Sequence, residues 1–395
     1  MLESLPYQRP AGCPFDPPEE LARLREKEPL TRLTFPDGHR GWLVTGHALL
    51  RAVVSDPRFS SRQELMHNPM PGTDSTEPMP PAGPGMFIGH DAPEHTRYRR
   101  LLMGRFTLRR MRRLTERVEE ITAAQLDAME RQGPVVDLVR AYAQPVPALL
   151  ICELLGVPYD EHETFQRHTM TVNDHHATAE ERVAAMNALG TMLYDLVVAK
   201  RAAPTDDVLG DLAAGDELTD EELTNIAVLL LGAGFDTTAN MIALGVFALL
   251  EHPEQLAVLR SGPEAVDPAV EELLRYLSIA HTGARTALED VELDGKLIRA
   301  GETVALSVMA ANRDPEKFPA PDRLDIRRQA TGHVALGYGI HQCLGQQLAR
   351  VEMRVALPAL FERFPGLRLA VPAGEVPMRT ASDIYGVDRL SVRLW

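Results

Sequence analysis

The 395-residue chain is 45% hydrophobic, enough for a large core, and carries a formal net charge of −15. Such an acidic protein is a poor partner for nucleic acid or an anionic membrane surface, and its three cysteines, Cys13, Cys152 and Cys343, are too few and too widely spaced for a disulfide framework. No basic stretch leading into an apolar one opens the chain, so neither a signal peptide nor a membrane anchor is expected, and a reducing cytoplasm fits.

The first 60 residues alternate short helical and strand-like pieces, such as Trp42–Thr45. Asn68–Gly85 holds six prolines and three glycines in 18 residues. That composition predicts a loop, and a loop of this length in a compact domain reads as a lid. Helical patterns dominate from Pro93 to about Arg260. Within them, Thr219-Asp-Glu-Glu222 is a capping-box start to a helix that runs to Leu250, roughly 45 Å. Its segment Ile226–Leu250 is apolar enough to suggest a membrane span. Asp236, Thr237, Thr238 and Asn240 stand at its middle, however, and a central Asp costs about 2.5–3.5 kcal/mol in a bilayer. A buried helix of a soluble protein is the better reading. Asp294-Gly295 predicts a hairpin over Val291–Ile298, Thr303–Ser307 a strand, Leu344–Phe361 a helix and Ile384–Leu394 a second hairpin. No linker or repeat divides the chain. The expectation is one domain over residues 1–395, mainly α with small β-sheets (α+β).

The richest chemistry lies in Leu336-Gly-Tyr-Gly-Ile-His-Gln-Cys-Leu-Gly345. Cys343 stands in a glycine-rich loop just before a helix, where unpaired N–H groups and the positive dipole end favour a thiolate. Gly337 and Gly339 permit positive φ or a close approach to a flat ligand. Cys152, within an apolar run, reads as core, and Cys13 as inert. On the long helix, Ile226, Leu229, Leu230, Ala233, Thr237, Asn240, Met241 and Leu244 share a face. Gly232-Ala-Gly234 leaves a gap beside Asp236 and Thr237, an acid and a hydroxyl able to pass protons. For Thr237 alone, a bond back to the carbonyl four residues earlier is the slightly better reading. Glu272-Leu-Leu-Arg275 is an i,i+3 ion pair with apolar neighbours. His95 and Arg99 share a helical face and, with Arg285 and His341, suit the binding of carboxylates.

Together these patterns resemble the cytochromes P450, haem-thiolate monooxygenases, in their soluble bacterial form. The matching pieces are Leu336-Gly-x-Gly-x-His-x-Cys-x-Gly345, Ala233-Gly-Phe-Asp-Thr237, Glu272-x-x-Arg275, His95-x-x-x-Arg99, and Ala311-Asn-Arg-Asp-Pro315 with Phe318-Pro-Ala-Pro-Asp-Arg323. They stand in the family's order and span nearly the whole chain. One departure is Leu336, where the family usually places a phenylalanine near the sulfur.

The resemblance implies haem b (iron protoporphyrin IX) as cofactor. Cys343 is then the axial ligand of the iron. Ala233, Gly337 and Gly345 lie against the macrocycle, and His95, Arg99, Arg285 and His341 hold its propionates. Asp236 and Thr237 relay protons to bound oxygen, while Glu272, Arg275 and Arg323 form a structural salt-bridge network. Pocket walls by resemblance are Met86, Phe87, Leu230, Ala233, Ile279, His281, Thr282, Ile384 and Tyr385. They suit a bulky, largely apolar substrate, such as a polyketide or macrolide, to be hydroxylated or epoxidised with O2.

Arg97–Arg117 carries nine arginines in 21 residues. On an acidic protein this patch suits an acidic electron carrier, a ferredoxin served by its reductase. His162, His168, His175 and His176 with Asp174 form a loose cluster whose spacing matches no metal site, and the resemblance places it near the substrate entrance. Two other classes compete: a haem-binding sensor or storage protein, and a peroxide-using thiolate-haem enzyme. The acid–alcohol pair at Asp236 and Thr237 disfavours both.

Overall fold

The structure is a computed structural model. It describes every residue except 11, 73–74, 174–176, 281 and 381, together with the side chain of residue 108. Helices dominate. The longest, Asp220–Glu251, has 32 residues, roughly 48 Å at 1.5 Å per residue. Thr219 and Glu222 close a capping box at its start. Most residues from Asn240 to Leu249 are fully buried. Around this central helix pack Pro145–Leu155, Ala179–Ala202 and the helix that follows the cysteine loop, Gln346–Arg363.

By length and composition Asp220–Glu251 and Ala179–Ala202 could each cross a membrane. The central helix is instead largely enclosed by protein, as its polar midpoint predicts.

The predicted hairpin forms with strands Val291–Leu293 and Lys296–Ile298. Its turn residues Asp294 and Gly295 have φ of 51° and 68°, the positive values a tight two-residue hairpin turn demands. Thr303–Ser307 is buried throughout and lies inside a five-stranded sheet. The strand order there is 30–34, 40–44, 303–307, 282–287, 59–60, with 40–44 and 303–307 parallel. This sheet brings Arg285 toward the cysteine loop.

The hairpin expected at Ile384–Leu394 does not form. Ser391–Arg393 pairs instead with Val135–Asp137 and Arg368–Leu369, and Ile384 makes a single bridge to Ala280. Apolar alternation locates a strand but does not say whether its partner is local or distant. Between Met66 and Met86 the described residues carry no regular secondary structure, as the proline content predicts.

Candidate active site

Residues 336–345 deliver Cys343 to the head of Gln346–Arg363. The Cys343 N–H donates to the Leu336 carbonyl at 2.9 Å and closes the loop. Gly337 and Gly339 have φ of 72° and 74°. At Gly339 a Cβ would also lie 2.6 Å from the Val54 carbonyl oxygen, so only glycine fits. The helix N-terminus does not by itself make a thiolate. Burial pushes the Cys343 thiol up, against the opposing pull of the Gly345 N–H and the charges of Arg99 and Arg350. A coordinated metal ion removes such a proton outright.

Two cavities, of about 170 and 300 Å³, meet at this residue. Cys343, Ala233, Thr237, Thr238, His341 and Ala349 line both. The smaller adds Phe87, Leu230 and Gly345, and the larger adds Ile279, Leu336 and Gly337. The result is a mostly apolar slot between the middle of the central helix and the cysteine loop.

One edge of the slot is basic. The His95 and His341 rings lie 4.0 Å apart between centroids. Both nitrogens of His95 and Nε2 of His341 are buried with no partner among the described residues. Arg99 Nη2 donates to the Gln342 carbonyl at 2.8 Å, and Arg285 Nη1 to the Ala284 carbonyl at 2.7 Å. Burial, then the charge of Arg99, pushes His95 down to about 4. Burial, then His95 and Arg285, pushes His341 down to about 3. Crowded basic groups with orphaned ring nitrogens call for anions. A Cβ at Gly345 would meet nothing within 4 Å, so the slot is open beside the sulfur. A flat apolar group with two carboxylates and a thiolate-seeking metal fits these residues.

The structure separates the expected relay pair. Asp236 is ion-paired with Arg379 at 2.7 Å, and Asn240 Nδ2 donates to it at 3.1 Å. It lines a different, polar cavity of about 430 Å³, with Arg140, Gln144 and Asp388. The Thr237 hydroxyl donates to the Ala233 carbonyl at 2.7 Å, the bond back to i−4 that a mid-helix threonine can make. Consecutive helical residues point about 100° apart, so the acid and the alcohol open on different spaces.

Arg323 is also corrected. Glu272 and Arg275, both with fully buried side chains, pair at 2.8 Å, and the second arginine on Glu272 is Arg328, at 3.1 Å. Arg323 gives this network its backbone carbonyl, which accepts from Arg275 and Arg328, and is itself exposed.

Among the pocket candidates, Phe87, Leu230, Ala233 and Ile279 line the slot. Met86, Thr282, Ile384 and Tyr385 are not among its described walls. Met86 packs against the main core. The Thr282 hydroxyl donates to the Leu306 carbonyl at 3.0 Å. Tyr385 is buried beneath the Arg9 guanidinium, 4.2 Å above its ring. His281, His175, His176 and Asp174 lie outside the described residues. His162 is hydrogen-bonded to the Val157 carbonyl at 2.9 Å, and no described group of three or more His, Cys, Asp or Glu could hold a metal ion.

Sequence reasoning missed Arg328, Arg379 and Glu352. Only Glu352 left a signal, a carboxylate at a core position of its helix, four residues from Leu348 and from Ala356.

A half-buried cysteine at an apolar slot with a carboxylate-binding edge is the equipment of a thiolate-haem oxidoreductase. The profile of the family described as Cytochrome P450 matches residues 163–261 and 264–381. The chain is 51% identical to cytochrome P450 105C1 of a Streptomyces species over 96% of this chain and 95% of that one. It is 47% identical to pentalenic acid synthase of Streptomyces avermitilis over 96% and 95%. The crystal structure of CYP105P1 in complex with filipin I matches with a TM-score of 0.91 at 42% identity, covering 100% of this chain and 99% of that one. The chain therefore belongs to the cytochrome P450 family, the monooxygenases whose cofactor is a thiolate-ligated haem.

Proposed function

We propose that this enzyme inserts one atom of O2 into a bulky, largely apolar secondary metabolite, with Cys343 as the axial ligand of haem b. The observation that carries this reading is the meeting of two apolar cavities at Cys343 and Thr237. When bound, the haem supplies the oxygen activation that no side chain can perform.

The chain's own residues do the rest. His95, Arg99, Arg285 and His341 offer donors to the two propionates. Thr237 places a hydroxyl on the wall facing Cys343. Asp236, when its pair with Arg379 opens, takes up a proton from the polar cavity behind the helix and passes it on as the pair re-forms. Phe87, Leu230, Ala233 and Ile279 exclude water and hold the substrate by its apolar surface. The proline-rich loop, whose Pro84 carbonyl accepts from Asn225 of the central helix at 2.8 Å, is assigned as a lid on a single domain.

Substrate class rests on the apolar walls and on relatives of the kind found, among them CYP105P1 complexed with filipin I. A polyketide or macrolide is the reading adopted, with an alcohol or epoxide as product.

Electrons come from a ferredoxin and its reductase in the cytoplasm. The patch Arg97–Arg117 is smaller than its composition suggests. Arg97, Arg110, Arg113 and Arg117 are paired to carboxylates of this chain, and Arg99 faces the cysteine loop. Arg100, Arg109 and Arg112 are exposed and make no ion pair among the described residues, which leaves them for an acidic partner.

The test is a spectral titration of the ferric protein with a panel of apolar metabolites, followed by turnover of the binders. A ligand that shifts the spin state and yields an oxygenated product supports the reading. In Thr237→Ala, reductant consumption continues and peroxide replaces product. Unchanged coupling removes Thr237 from the relay. A sensor or storage protein would consume no reductant with any binder.

A further inference from the structure

The apolar wall at Ile279 is held from behind by a residue near the start of the chain. Arg9 is half-buried, yet its charged head turns inward, the reverse of the usual long cationic side chain that keeps its charge in water. Its Nε is sealed from solvent with no hydrogen-bond partner among the described residues. Nη1 donates to the Phe15 carbonyl at 2.7 Å and Nη2 to the Leu277 carbonyl at 2.6 Å. The guanidinium carbon lies 4.2 Å from the centroid of the Tyr385 ring. Carbonyls and a π face thus take the place of a carboxylate, while the nearby Asp16 pairs with Arg313 at 3.6 Å. Burial pulls the group down to about 10, so it remains a cation at neutral pH. An apolar side chain would be cheaper to enclose here.

These contacts converge on the wall. Leu277 ends the helix Val266–Leu277, and Ser278 turns the chain out of it with φ of 43°. The next two residues, Ile279 and Ala280, line the larger cavity. The Tyr385 N–H donates to the Ile279 carbonyl at 2.8 Å, and Ile384 bridges Ala280. Arg9 therefore ties together two segments distant in sequence, 277–280 and 384–385. The strap that carries it is fixed at its other end by Phe15, whose ring meets Phe247 of the central helix edge-on at 4.9 Å.

We infer that Arg9 is a positioning and specificity residue, which locks the turn 277–280 to Tyr385 and so sets how bulky a ligand the Ile279–Ala280 wall accepts. It acts through Leu277 and Tyr385 and touches no substrate itself. The inference rests on the reading of the slot as a haem and substrate pocket. Without the guanidinium the Leu277 carbonyl loses this donor and the Tyr385 ring its cover, and the wall softens.

The experiment compares wild type with Arg9→Met and Arg9→Lys as holoenzymes, by hydrogen–deuterium exchange and by spectral titration with two azoles. Imidazole and clotrimazole both ligate haem iron through nitrogen and differ in bulk. In Arg9→Met, exchange is expected to quicken at 277–280 and 384–385 and to stay as in wild type in the hairpin Val291–Ile298. Clotrimazole weakens by roughly tenfold, about the worth of burying one apolar side chain, and imidazole is unchanged. Arg9→Lys keeps the charge without the planar fork and falls between. Tyr385→Leu removes the π face and leaves Arg9, so it shifts the azole ratio in the same direction. It carries the test if Arg9→Met does not fold, and a wild-type ratio in it then overturns the inference. Exchange at 384–385 that matches wild type, a uniform rise across the chain, or equal losses for both azoles in Arg9→Met also overturns it, since a merely structural residue would loosen everything alike. The spectrum of the reduced protein under carbon monoxide separates the two readings. Without the thiolate band the haem-thiolate reading itself fails. With that band and an unaltered azole ratio, only the role of Arg9 does.

Discussion

The Asp236 carboxylate lies 2.7 Å from Arg379 Nη1, and this pair fixes which side of the central helix the acid serves. Both side chains are mostly shielded, at 15% and 10% exposure. Replacing Arg379 by Leu leaves the acid partly buried with Asn240 as its remaining side-chain partner among the described residues. Unpairing a shielded charge costs on the order of 1–3 kcal/mol, so the melting temperature of Arg379→Leu falls measurably. Asp236→Asn falls less, because the amide still bonds its neighbours. The double variant is closer to Asp236→Asn than additivity predicts, and a thermal double-mutant cycle checks this.

The network on Glu272 predicts unequal effects for two neighbouring arginines. Arg328→Ala strips one of two guanidinium groups from a fully buried carboxylate, and with Arg275 still paired to it destabilises by roughly 1–3 kcal/mol. Arg323→Ala stays within about 0.5 kcal/mol, because only its backbone carbonyl takes part. Denaturant unfolding of the two variants side by side decides it.

Acid should unfold the protein partly through two glutamates. Burial works to raise the Glu222 carboxyl, but hydrogen bonds from Arg97, the Thr219 N–H and Tyr98 outweigh it and hold the group down to about 2. Burial is likewise outweighed at Glu271 by His333 and Arg350, again to about 2. Both folded values lie below the unfolded carboxylate value of about 4.3. Their stabilisation is therefore complete above about pH 4.3 and is lost as pH falls toward 2. Glu222→Gln and Glu271→Gln should be less stable than wild type at pH 7 and converge on it near pH 2, as read from unfolding midpoints across that range.

Docking of the electron carrier tests the trimmed patch. Arg109→Glu and Arg112→Glu should slow reduction and flatten its dependence on ionic strength. Arg113→Glu disturbs an internal pair with Asp206 and should act mainly on stability. Stopped-flow reduction over a salt series separates the two kinds of arginine.

Much of this was legible in the sequence because it was local. The capping box of the central helix, the Asp294-Gly295 turn and the two positive-φ glycines before Cys343 are each set by residues a few positions apart. What escaped was side-chain direction and distant pairing. Asp236 and Thr237 are neighbours in sequence yet face different cavities. Arg323 and Arg328 are five residues apart, and only the folded backbone decides which guanidinium reaches Glu272. Tyr385 reads as a pocket wall until Arg9, almost the whole chain away, is found over its ring. The strand at Ser391–Arg393 was foreseen, but not its partners.

The central claim is that Cys343 carries the iron of the haem, and one spectrum tests it. The reduced protein under carbon monoxide should show the red-shifted Soret band of a thiolate-ligated haem, and Cys343→His should bind haem without that band. A wild type lacking the band, or a Cys343→His protein that retains it, would contradict the account.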